Sequence, residues 1–145
     1  MITKEQYFGA KPHTAEHSEA ADDLLSRVNA LIDQATYQGA FSRNVDADTG
    51  SEISGSKGGS GDGGFRLSTA TTGAPQSSHK QARAVDVFDP HNRLDGYLDT
   101  FDSDEGLTNP VLEQHGLYRE SPEKTPGWTH LQTRAPGSGR RTFQP

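Results

Sequence analysis

His79 and Asp86 are separated by six residues in the segment SSHKQARAVDVFDP, 77–90. His79 sits in polar surroundings, but Asp86 stands between Val85 and Val87 in a stretch whose alternation predicts a strand. A carboxylate on an apolar strand costs several kcal/mol unless a cation or strong donors offset it. His130 raises the same question in GWTHLQ, 127–132, where Trp128 and Leu131 flank it in a second candidate strand. Two imidazoles and one carboxylate form a zinc ligand set that leaves a fourth position to water. Each residue also has a plainer reading. His130 can be a hydrogen-bonded core histidine, Asp86 can pair with Arg83 or cap a turn, and His79 can lie on the surface.

Composition narrows the chemistry. The chain has no cysteine, so disulfides, thiolate zinc sites and cysteine nucleophiles are excluded, and any zinc must rest on histidine and carboxylate. The formal charge is -6 and no long basic run occurs, which argues against a nucleic-acid partner. Arg134, Arg140 and Arg141 are a local exception and read as part of a solvated tail. The first residues, MITKEQYFGAKPH, lack the apolar stretch of a signal peptide, and no segment approaches a membrane span. The expectation is synthesis in the cytoplasm, with another route needed for any action outside it.

The residues that could do chemistry need a scaffold, and 145 residues suffice for one domain with a modest core. Mean hydropathy is -0.84, and sixteen glycines and eight prolines predict many loops. The clearest element is a helix over 14–36, where Ala21, Leu24, Leu25, Val28, Leu31, Ile32 and Ala35 recur at helical spacing. Thr14 caps its start, Glu16 lies in its first turn and Gly39 follows its end. Ahead of it, Tyr7, Phe8 and Pro12 read as an arm packed on the domain. Residues 42–64 form a polar, glycine-rich loop beside the site rather than a linker.

Short strands are expected at Phe65–Leu67, Ala84–Phe88, Leu117–Tyr118 and Trp128–Gln132. A second helix carries Leu94, Tyr97, Leu98 and Phe101. A third, shorter one opens at Asn109-Pro110 and closes at Gly116. Together these predict an α+β domain with helices flanking a small, mostly antiparallel sheet. Residues 1–40 supply the arm and helix, 50–132 the metal-site core, and 133–145 a surface tail without assigned chemistry. A monomer is expected.

The segments GGFR (63–66), SSH-x6-D (77–86) and W-x-H (128–130) resemble, in order, the zinc D-Ala-D-Ala carboxypeptidase and L-Ala-D-Glu endopeptidase family. That family shares its fold with the Hedgehog signalling domain. The resemblance covers roughly residues 50–132, and GSGRRTFQP near the end adds the look of a phage or prophage member. It implies that His79, Asp86 and His130 ligate zinc. Arg66 would hold a substrate carboxylate or carbonyl and stabilise the charge that develops during attack. Ser77 and Ser78 would shape the turn carrying His79. The implied substrate is a peptidoglycan stem peptide, cut next to a D-amino acid by zinc-activated water, with a holin or a virion delivering the protein to the wall.

One position departs from the family. Its enzymes carry an acidic residue or a histidine three positions before the last ligand, as general base; here that position is Gly127. Glu123 is the nearest upstream acid and the candidate base, with Glu120 behind it and Asp89 and His91 as further possibilities. Gly127 also motivates a second reading, a zinc-binding but catalytically silent relative acting as a phage structural or wall-binding protein. An interaction domain without metal ranks third. His13 and His17 read as a solvated pair at the helix entrance, and His115 as a cation at a helix end.

Overall fold

The computed structural model describes residues 1–41, 53, 63–70 and 76–145. The expected glycine-rich loop falls outside these residues, apart from Ile53, Gly63 and Gly64.

The chain starts with a short helix, α1 (Lys4–Phe8), closed at its front by a capping box between Thr3 and Gln6. The amphipathic helix α2 (Ala15–Tyr37) follows and buries Ala21, Leu24, Leu25, Val28, Leu31, Ile32 and Ala35, the face expected from spacing. Thr14 caps it through a second capping box with His17. A 3-10 turn (Ser78–Gln81) then leads into β1 (Ala84–Phe88).

Beyond β1 come α3 (Arg93–Asp99) and α4 (Pro110–His115). Asn109 caps α4 by accepting from the amides of Val111 and Leu112, and Gly116 ends it in the left-handed region. Strand β2 (Tyr118–Glu120), a 3-10 turn (Pro122–Lys124), β3 (Trp128–Gln132) and β4 (Thr142–Phe143) complete the order.

The result is an α+β arrangement on a four-stranded sheet ordered β1-β3-β2-β4. β3 pairs antiparallel with both β1 and β2, whereas β4 lies parallel to β2. Two of the three pairings are antiparallel, as expected, and the parallel β2–β4 pairing makes the sheet mixed. The residues expected to trail over the surface return to form its edge, with Phe143 buried and the Ser121 amide donating to the Phe143 carbonyl.

Phe65–Leu67 is not a strand. Its backbone bonds go to separate places instead of one ladder: the Phe65 amide donates to Tyr7 and the Arg66 amide to His79. Just before it, the Gly63 carbonyl accepts from Asp86. Gly64 has to be a glycine, because a Cβ there would sit 2.4 Å from the Tyr7 carbonyl oxygen.

One buried apolar cluster joins α1, α2 and α3 to the sheet, running from Ile2 to Leu131. The Tyr7 hydroxyl ties α1 to it by donating to the Ala84 carbonyl at 2.8 Å. On β2, Arg119 is completely buried, and Asp95, Asp99, Asp102 and Thr142 receive its guanidinium. Three carboxylates around one guanidinium offset the cost of burying that charge. They also tie α3 and β4 to β2. Among the described residues, no helix is long and apolar enough to cross a membrane.

Candidate metal centre

Strand register assembles the centre. Asp86 on β1 and His130 on β3 are direct cross-strand partners. β2 pairs Tyr118 with Gln132 and Arg119 with Leu131, so one step further Glu120 falls opposite His130. Glu120 is in turn paired with Phe143 on β4. A single row, Asp86, His130, Glu120 and Phe143, thus crosses all four strands. His79 joins the row from the 3-10 turn, where the Ser77 hydroxyl accepts from its amide and Ala82 reverses the chain in the left-handed region.

His79, Asp86 and His130 are all buried, and one potential ligand atom from each lies within 4.8 Å of the others. Among the described residues, this group can hold a metal ion. His79 Nε2 is 3.3 Å from Asp86 Oδ1, and His130 Nδ1 is 2.9 Å from the same oxygen.

The far side of each ring decides its tautomer. His79 Nδ1 lies 2.9 Å from the Gly64 carbonyl oxygen, which only accepts, so Nδ1 carries the proton and Nε2 keeps its lone pair. His130 Nε2 lies 2.7 Å from Gln132 Oε1. Gln132 Nε2 donates to the Arg134 carbonyl at 2.6 Å, which orients the amide and leaves His130 Nδ1 free to ligate. Two lone pairs and a carboxylate facing one another need a cation between them, either a proton or a metal ion. Histidine rings braced from behind by acceptors are the usual arrangement around a bound metal.

Electrostatics follow from the same geometry. Burial pushes the Asp86 carboxyl up, but the His79 and His130 imidazoles outweigh it and hold it well below the usual carboxylate range. Burial pushes His130 down, but Asp86 and the Gln132 hydrogen bond raise it above its ordinary value. Glu120 is raised, first by burial and then by the nearby Asp86 charge. Its Oε2 lies 3.9 Å from His130 Nδ1.

Arg66 closes the other side, with Nη2 3.6 Å from Asp86 Oδ2. Arg66, His79, Asp86, Glu120, Trp128 and His130 line a cleft of about 510 Å3, together with Arg134, Pro136, Phe143 and Gln144. The tail therefore lines the site.

The structure thus brings together four of the five residues singled out from sequence: Arg66, His79, Asp86 and His130. Glu123 lies apart. It is exposed on the 3-10 turn after β2, does not line the cleft, and accepts from Gln144 at 3.1 Å. Glu120, three residues earlier, is the carboxylate that faces the metal centre. Gly127 occupies a positive-φ turn before β3, 3.4 Å from the Asn92 side chain.

Asp89 is fully buried and caps α3, accepting from the amides of Arg93, Leu94 and Asp95 and from the Thr129 hydroxyl. Its bonds commit it to the start of α3 and to β3, and it does not line the cleft. His91 is exposed. His13 stacks on Phe8, His17 serves the α2 cap, and His115 meets Gln34. Sequence reasoning did not single out Gln132. Period-two alternation from His130 along β3 is the signal that could have found it.

No protein-family model, curated protein or solved structure matches the chain.

Proposed function

We propose that this protein is a zinc peptidase with a Hedgehog/DD-peptidase-like fold, hydrolysing a peptide bond next to a D-amino acid in peptidoglycan stem peptides. The observation that carries the metal centre is the buried His79, Asp86 and His130 group, with both rings braced by acceptors on their far sides. The ordered resemblance of GGFR, SSH-x6-D and W-x-H supplies the substrate class.

Zinc held by His79, Asp86 and His130 would supply Lewis-acid polarisation of the scissile carbonyl and would lower the pKa of a water molecule towards about 7. The chain's own groups do the rest. Arg66, fixed beside Asp86 at the cleft wall, holds the carbonyl oxygen as negative charge develops on it. Glu120, rather than Glu123, takes the proton released as water adds to the carbonyl and returns it to the departing amine nitrogen. Trp128 and Phe143 wall the cleft and narrow the access of bulk water.

A second reading rests on Gly127, which leaves the family's base position without a side chain: a zinc-binding relative that does not hydrolyse, acting as a phage structural or wall-binding protein. One experiment separates the two. Metal content is measured for the wild type, Asp86→Ala and His130→Ala, and the same samples are incubated with purified muropeptides. The peptidase reading expects one zinc per chain, its loss in both variants, and cleavage by the wild type alone. Zinc without cleavage establishes the silent relative, and absence of zinc from the wild type overturns both.

A further inference from the structure

The arginines near the end of the chain do not form one solvated patch. Arg134 lines the metal cleft, Arg140 donates to the carbonyls of Asp104 and Glu105, and Arg141 turns to another concavity. That concavity, of about 400 Å3, shares no lining residue with the metal cleft. It gathers Arg27 from α2, Arg83 from the turn before β1, and Arg141 from the approach to β4. In a chain of formal charge -6, three guanidiniums from distant segments meet there with one carboxylate, Asp23.

Two of the guanidiniums are held in place by groups that use only part of their donor capacity. Arg27 Nε pairs with Asp23 at 2.9 Å, and its Nη1 donates to the His115 carbonyl at 3.2 Å. Arg141 Nη1 donates to the Leu117 carbonyl at 3.0 Å, while its guanidinium stacks 4.2 Å over the Tyr118 ring. Each guanidinium has five N–H donors, so each retains an unused edge. Arg83 has no side-chain partner among the described residues, although its backbone is fixed by bonds with Ser78 and Thr133. Gly116 makes the arrangement possible, because a Cβ there would lie 2.1 Å from Arg27 Nη1. Ala20 and the hydroxyl-bearing Tyr118 and Thr133 complete the lining.

We infer that this concavity is an anion site for a phosphate-bearing ligand, separate from the metal centre. Forked donors reaching one small space from three segments suit a tetrahedral, multiply charged group better than a single carboxylate, which one guanidinium can satisfy. The site is a single pocket and not a basic stripe, so it fits one phosphate group rather than a tracked nucleic-acid backbone. The phosphate can belong to a small phosphorylated molecule or to a repeating phosphodiester polymer.

The test is a titration followed by amide chemical shifts, whose residue-by-residue readout separates this concavity from the metal cleft. The probes are inorganic phosphate, glycerol phosphate and a poly(glycerol phosphate) chain. Saturable shifts are expected at Arg83, Gly116, Tyr118 and Arg141. Arg83→Gln, whose wild-type side chain is exposed and unbonded, should weaken binding by about tenfold or more while the spectrum stays native. Tighter binding of the polymer identifies a phosphodiester chain as the source, and equal binding of all three identifies a small phosphate ligand. Absence of saturable binding by every probe, or wild-type affinity in Arg83→Gln, overturns the site.

Discussion

At the scale of single residues, the metal centre depends on what stands behind it. His130 is aimed by Gln132, and Gln132 is itself oriented by the Arg134 carbonyl. Truncating Gln132 to alanine removes that brace while leaving the strand in place. Zinc affinity is expected to fall by about 10- to 100-fold, read by competition with a chromogenic chelator. Unchanged affinity would mean that packing alone orients the ring. The base is tested in the same way. Glu120→Gln should lower kcat on muropeptides by about a hundredfold to ten-thousandfold, whereas Glu123→Gln should leave it unchanged. The opposite pattern would return the role to Glu123, which does not line the cleft and accepts from Gln144.

At the scale of elements, Gly64 concentrates several demands. Its carbonyl holds His79, its neighbour Phe65 bonds to Tyr7, and its missing Cβ lets α1 approach. The atom a Cβ would strike belongs to backbone and cannot swing away. Gly64→Ala should therefore destabilise the fold by about 1–3 kcal/mol, lowering the thermal midpoint in a calorimetric scan. A midpoint equal to that of the wild type would show that α1 docks loosely.

The elements differed in how far their sequence announced them. α2 carries seven apolar residues at helical spacing, and α4 is bracketed by Asn-Pro and Gly, so both were readable from local rules. β1 and β3 were readable from alternation. α1 has five residues and β4 has two, too short for a period to show. Phe65–Leu67 has strand-like composition, but its hydrogen bonds are dispersed among unrelated partners. The same limit governed the site. His79, Asp86, His130 and Arg66 stood out as polar residues in unusual company or in a family-like order. Glu120 could not be preferred over Glu123, because its position depends on the pairing of β2 with β3, which is a property of three-dimensional register.

At the scale of the whole molecule, stability turns on the buried Arg119 and its carboxylates. Asp99 and Asp102 already neutralise the guanidinium, and Asp95 Oδ2 is buried without a hydrogen-bond partner. Burial outweighs Arg119 and pushes the Asp95 carboxyl up to about 6 from an ordinary 3.8. The folded state then holds this proton more tightly than the unfolded one. Its contribution to stability is fully present below pH 3.8 and is lost as pH rises through about 6. The span is worth about 3 kcal/mol. In urea titrations, the stability of the wild type relative to Asp95→Asn should therefore decline between pH 4 and pH 7. A difference that stays flat across that range would place the proton elsewhere.

The bond that the Phe65 amide donates to the Tyr7 carbonyl has a consequence for cooperativity. The two-residue segment that seats α1 also presents the Gly64 carbonyl to His79, so docking of the N-terminal helix and occupancy of the metal centre draw on one stretch of backbone. Coupling free energy is reciprocal. An ion bound between the histidines should therefore slow the opening of α1, read as slower hydrogen exchange at the Phe65 amide, which sits at the junction. An exchange rate unchanged by added zinc would show that the two are uncoupled.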